Sequence, residues 1–247
     1  MAGQAGSRRP VGILGGMGPE ATVLLMQKCI AHVTGGHATG RAGGALDDAD
    51  HIPLIVHQNP QVPSRIARLI EGQGPDPAPV LAQMARDLAA AGAQALAMPC
   101  NTAHHYAPAI SAATDLPFLD MIAATADHLA RAGARRPGML ASPATRMAGV
   151  FDAAFAARGL SPLWLDDEAA VLALIRAVKA GQPVAALAPQ MDALAQAALA
   201  QGADHLLVAC TELSLLTAAL PAGAPWTDSL DCLTGCIADF ACAPQSG

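Results

Sequence analysis

Aromatic residues are scarce in this chain of 247 residues: four phenylalanines, two tryptophans and one tyrosine. A β-sandwich packs its strands through aromatic and β-branched side chains, so this scarcity argues against that class. Positive charge is also short. Fourteen Lys and Arg stand against twenty Asp and Glu, a formal net charge of −6. A protein that neutralises nucleic-acid phosphates needs a basic face, so the expected partner is a small molecule. No uninterrupted apolar run of about 18 residues occurs, and no membrane-spanning helix is expected. The N-terminal MAGQAGSRRP carries Arg8 and Arg9, but the apolar run that follows, Val11 to Leu14, is broken at once by glycines. That pattern is not a signal peptide, and the expected location is cytoplasmic. Thiols stay reduced there, so the six cysteines (29, 100, 210, 232, 236 and 242) are read as free. The chain has no C-x-x-C at either of two cysteine-bearing strand ends, which speaks against thiol-disulfide chemistry. Its GGMGP turn lacks the G-x-G-x-x-G spacing of a dinucleotide site.

What is abundant is alanine, within a composition that is 53% hydrophobic, suited to helices packed closely on a sheet. The length permits one large α/β domain or two smaller ones. Pro10–Gly15 reads as a strand running through GGMGP into a helix from Pro19 to Val33, with proline at the helix start where its missing N–H costs nothing. A polar loop over 35–50 precedes a strand over 52–58, and NPQVPSR leads into a short helix. A helix over 78–92 hands over to the strand AQALAM, 94–99, which ends at Cys100. The second half repeats the plan: a helix over 121–132, a strand over 137–142, a helix after Pro143 and a strand near 162–165. Helices over 167–180 and 184–201 follow, then HLLVA at 205–209, which ends at Cys210. Alternating strands and helices imply an α/β fold with a parallel sheet in each half. Ligands bind beyond the carboxyl ends of such strands, where both cysteines stand.

The two cysteines sit in MPCNTAHH and VACTELS. A thiol between a strand end and a helix start is expected to have a lowered pKa, because the helix dipole favours the thiolate. Asn101, Thr102 and Thr211 are placed to cap the helix start or to hydrogen-bond a ligand carboxylate. Two opposed thiols suit inversion of a stereocentre that carries hydrogen, one removing the proton and the other returning it from the opposite face. The adjacent His104 and His105 point about 100° apart on a helix, so they do not suggest a metal site. His104 is read as a helper near Cys100. Cys29, Cys232 and Cys236 are read as helix packing.

Taken together, GILGGMGPEAT, NPQVPSR, MPCNTAHH and VACTELS resemble the aspartate racemase family within the cofactor-independent aspartate/glutamate racemases. The resemblance implies two similar α/β domains, each a parallel sheet flanked by helices, related by a pseudo-two-fold axis with the site in the cleft. The expected division is residues 10–116 with 227–243, carrying Cys100, and residues 117–226, carrying Cys210. It also implies a homodimer, a dicarboxylic amino acid as substrate, and catalysis without pyridoxal phosphate, metal or any other cofactor. Cys100 and Cys210 match the family's acid/base pair. Arg65 matches the arginine that binds the substrate side-chain carboxylate, and Lys179 a lysine of the same region. Met17 and its turn, with Asn101, Thr102, Thr145 and Thr211, are expected to serve the α-carboxylate and amino group. Glu212 stands where the aspartate branch has an acid.

Two positions depart from the pattern. Ile175 replaces an aromatic residue, and Ala144 replaces a glycine before Thr145, which puts substrate preference in question. Other readings remain open: a related two-cysteine isomerase such as maleate isomerase, in which a thiolate adds to a double bond, or a catalytically silent dicarboxylate-binding protein.

Overall fold

The computed structural model describes residues 8–35 and 47–243; the centre of the polar loop expected over 35–50 lies outside them. The first half runs β1 (Val11–Gly15), α1 (Pro19–Thr34), β2 (Leu54–Gln58), α2 (Arg65–Leu69), α3 (Ala78–Ala90), β3 (Ala95–Ala97), α4 (Ala107–Ser111) and β4 (Phe118–Leu119). Then come α5 (Met121–Arg131), β5 (Pro137–Ala141), α6 (Pro143–Met147), α7 (Asp152–Ala156), β6 (Leu163–Trp164), α8 (Glu168–Lys179) and α9 (Val184–Ala200). The chain ends with β7 (His205–Ala209), β8 (Trp226–Asp228) and α10 (Ser229–Cys242).

The strands form two four-stranded sheets with the same order, β2-β1-β3-β4 and β6-β5-β7-β8. Every pairing is parallel. Both central strands of each sheet are fully buried, as a sheet covered by helices on both faces requires. In each half the chain leaves the first strand toward one side and later returns on the other, so a crevice opens between β1 and β3, and again between β5 and β7. These are the switch points at which open α/β sheets bind ligands.

The chain crosses between halves twice. After β4, α5 packs Ile122, Ala126 and Leu129 against Met139, Ala141, Leu207 and Ala209 of the second sheet. After β8, α10 returns and packs Leu230, Leu233, Ile237 and Ala241 against Val11, Ile13 and Ala97 of the first. Asp228 pins the second crossing. It accepts hydrogen bonds from Ser214 Oγ at 2.8 Å and the Leu230 N–H at 2.9 Å, with Lys28 Nζ 3.4 Å away.

Cys29 is core, 3% exposed. Cys232 and Cys236 are half-buried on α10, and burial pushes the Cys232 thiol up to about 12, which leaves it unreactive near neutrality.

Candidate active site

The two glycine-free strand ends carry their cysteines into the interior of the molecule. Cys100 is 8% exposed and Cys210 7%. The chain after each is a short 3-10 turn, Thr102–Tyr106 and Leu213–Ala219, not the α-helix start expected from the sequence. A short, tight turn offers a much weaker aligned dipole. Accordingly the expected depression of the thiol pKa is not met at Cys210. Burial, then the neighbouring Glu212 carboxylate, pushes the Cys210 thiol well above its ordinary value, and Lys179 opposes this only in part.

Asn101, Thr102 and Thr211 do not cap these turns either. Asn101 Nδ2 donates to Ser229 Oγ at 2.9 Å, at the start of α10. Thr102 Oγ1 lies 2.8 Å from Thr145 Oγ1, across the cleft. Thr211 Oγ1 donates to the Pro99 carbonyl at 3.3 Å, joining the second cysteine turn to the first. Thr102 and Thr211 therefore tie the two halves together around the thiols, while Asn101 ties the first cysteine turn to α10 of its own half. Asn101 Oδ1 remains buried without a partner. An orphaned buried acceptor is costly, and it suits an ammonium donor from a ligand.

The glycine turn after β1 reaches the second half directly. A Cβ on Gly18 would lie 3.5 Å from Glu212 Oε1 and 3.6 Å from Lys179 Nζ, so this turn forms a wall of the site. The Met17 side chain, 3% exposed, is part of the first-half core. What it presents is its carbonyl, which accepts from Arg65 Nη2 at 3.3 Å. Arg65 opens α2 and also donates from Nη1 to the Pro63 carbonyl at 3.0 Å. Its Nε is buried with no partner, and among the described residues no carboxylate pairs with this guanidinium.

Lys179, at the last turn of α8, pairs with Glu212 Oε1. The ammonium pKa is raised: burial opposes its charge, but Glu212 and then Cys210 and Cys100 favour it. Both thiols thus lie within electrostatic reach of one lysine. Ile175, one turn before Lys179 on α8, is 1% exposed and packs in the cluster that holds Cys210 and Leu213. The aliphatic side chain at this departure from the pattern serves as core behind the second thiol. Ala144, the other, is fully buried in α6.

His104, read as a helper from sequence, has a definite place. Its Nε2 accepts the Met121 N–H at 3.3 Å, so Nδ1 carries the proton and donates to the Cys100 carbonyl at 2.8 Å. The ring fixes the Cys100 backbone to the start of α5, and burial holds its pKa below the usual value near 6.5. His205, bonded to Thr227 Oγ1 at 2.8 Å, is lowered by burial too. Unfolded chains bind these protons more readily than the fold does, so the neutral rings stabilise fully above pH 6.5, and that contribution is lost as pH falls below it. Urea midpoints measured from neutrality downward are expected to decline, with a shallower decline in His104→Gln. An equally steep decline in that variant would remove His104 from the account.

Sequence reasoning missed Ser229, which no motif marks, and Asn59, whose backbone closes under Gly16.

Comparison with known proteins agrees with this architecture. The Asp/Glu/hydantoin racemase family profile matches residues 14–236. The chain is 26% identical over 224 residues to the broad specificity amino-acid racemase RacX of Bacillus subtilis, covering 90% of this chain and 94% of that protein. Among solved structures it is similar to the aspartate racemase of Picrophilus torridus, with a TM-score of 0.82, 25% identity and 94% of each chain covered. Glutamate racemase RacE1 of Bacillus anthracis shares the fold at a TM-score of 0.60 and 16% identity, over 92% of this chain and 79% of that one. With a family match over most of its length and the same two-sheet architecture, the chain belongs to the Asp/Glu/hydantoin racemase family, whose members are isomerases.

Proposed function

We propose that the chain interconverts L- and D-aspartate, with glutamate as a second candidate, by proton transfer at Cα between Cys100 and Cys210. No cofactor takes part. The observation that carries this reading is the pair of buried thiols that follow β3 and β7, the equivalent strands of the two matching halves. One sulfur, as thiolate, removes the Cα proton from one face of the substrate. The other, as thiol, delivers its own proton to the opposite face. In the reverse reaction the two exchange roles.

Arg65 takes the substrate side-chain carboxylate in this reading, because its buried Nε has no other acceptor. Lys179 and Glu212 close the same region, and Asn101, Thr102, Thr145, Thr211 and the turn at Met17 hold the α-amino and α-carboxylate groups. A cytoplasmic homodimer completes the proposal. The similarity to a broad specificity amino-acid racemase of Bacillus subtilis supports testing neutral and basic amino acids beside the acidic ones.

Incubation with L-aspartate in D2O is expected to place deuterium at Cα while optical rotation is lost. Binding without any exchange points instead to a silent dicarboxylate-binding protein, and a covalent adduct on one cysteine to a maleate-type isomerase. Replacing Arg65 with leucine removes a charge-assisted contact, so KM for aspartate is expected to rise roughly 10–100-fold with a smaller change in kcat. Arg65→Lys is not expected to restore it, since a point charge cannot reproduce the planar fork. An unchanged KM in Arg65→Leu rules out this role.

A further inference from the structure

Glu212 is nearly fully buried and bridges two groups of opposite consequence. One carboxylate oxygen, Oε1, pairs with the Lys179 ammonium, and the other, Oε2, accepts a hydrogen bond from Cys210 Sγ at 3.1 Å. An ionised carboxylate can only accept, so this contact requires the proton to be on sulfur. Among the described residues no carboxylate is hydrogen-bonded to the Cys100 thiol. We propose that Glu212 sets the resting protonation of the cysteine pair, holding Cys210 as the thiol so that Cys100 is the sulfur that ionises. This inference rests on the two-thiol reading above and gives Glu212 a role in ordering the protons instead of binding the substrate.

The physical reason is charge. A Cys210 thiolate would face the Glu212 carboxylate at hydrogen-bond distance, with one ammonium shared between them. A Cys100 thiolate draws on the same Lys179 charge without that carboxylate against it. The groups that face Glu212 are Lys179 from α8, Cys210 from the strand end and, across Gly18, the turn that leads to Glu20 on α1. Glu20 Oε2 would lie 3.1 Å from a Cβ on Gly18, and Glu212 Oε1 3.5 Å from it. Glu20 itself is exposed to solvent. When Cys210 serves as the acid it gives its proton to Cα and becomes the thiolate, while Cys100 has taken the proton from the opposite face. The number of protons held by the pair is unchanged, and return to the resting form needs one proton to pass from Cys100 to Cys210 through solvent.

The test is alkylation by iodoacetamide at neutral pH, with each cysteine followed by peptide mass. In the native protein Cys100 is expected to react at least about tenfold faster than Cys210, since the thiolate is the nucleophile. In Glu212→Gln the Cys210 rate is expected to rise roughly tenfold or more, because an amide brings no charge and frees Lys179 to favour the thiolate. The alkaline limb of kcat/KM is expected to move to lower pH in the same variant, because the acid is then lost sooner. Glu212→Asp is expected to restore the native order. Faster alkylation of Cys210 in the native protein overturns the proposal, as does an unchanged Cys210 rate in folded Glu212→Gln. The native comparison decides by itself if that variant does not fold. Absence of α-deuterium in the native protein strikes the racemase reading instead, whichever thiol reacts first.

Discussion

Cys100→Ala and Cys210→Ala are each expected to lower racemisation of aspartate by roughly a thousandfold, the scale of losing one positioned acid or base. The fold should tolerate both changes, since each deletes a single buried sulfur, at a cost of about 1 kcal/mol. The two variants should differ in what remains. With Cys210 gone, Cys100 can still take a Cα proton from its own face, exchange it with solvent and return deuterium to that face. With Cys100 gone, Cys210 can do so only from the other face. In D2O each variant is therefore expected to label one enantiomer with retention, and the two should label opposite enantiomers. Proton NMR of separate L- and D-aspartate incubations reads this directly. Labelling of the same enantiomer by both, or racemisation at the native rate by either, defeats the two-base mechanism.

Gly16→Ala is expected to be the most damaging single-methyl change in the first half. Its φ is +95°, and an added Cβ would stand 2.4 Å from the backbone carbon of Asn59. Neither backbone segment can swing aside. The Asn59 N–H donates to the Gly15 carbonyl at 3.2 Å, and the Gly16 N–H donates to Thr22 Oγ1 at 2.9 Å. Left-handed strain and the clash together should cost about 3 kcal/mol, which lowers Tm by roughly 6–12 °C in a protein of this size. Gly72→Ala is the control. Its φ is also positive, at +65°, but a Cβ there meets nothing within 4 Å, so only about 1 kcal/mol is expected. Equal losses in the two variants would show that the close approach of Gly16 to Asn59 carries no energy. Activity should fall in Gly16→Ala as well, because the same turn presents the Met17 carbonyl to Arg65.

Much of the fold was legible because its signals are local. Each long strand is a short apolar run bounded by glycine, proline or a cysteine turn, and each long helix carries its own stop. The fourth strand of each sheet, Phe118–Leu119 and Trp226–Asp228, escaped. Residues of the site were recognised when they stood in a strand-end motif, as Cys100 and Cys210 do. Arg65 and Lys179 came from resemblance alone, because nothing in NPQVPSR or VKAG says which cation faces the cleft. What could not be read were the distances. That Thr211 bonds Pro99 instead of capping its own turn, or that Asn101 meets Ser229, depends on residues more than 100 positions away. The helix-dipole expectation for Cys210 failed for the same reason: a sequence names Glu212 two positions on, but only the packed structure shows its oxygen against the sulfur.

The two chain crossings have a mechanical consequence. Helices α5 and α10, each following one crossing, pack along one another, and both cysteines are less than a tenth exposed. In the proposed reaction a substrate would reach the thiols by a parting of the halves, as the covers of a book part along its spine. With two stitched points on that spine, the motion expected of the covers is a swing about the α5–α10 seam. That motion would break Thr102–Thr145 and Thr211–Pro99, the contacts at the page edge, and leave the Asp228 stitching intact. For the proposed substrate, entry, closure and release would then be one angle read at three values.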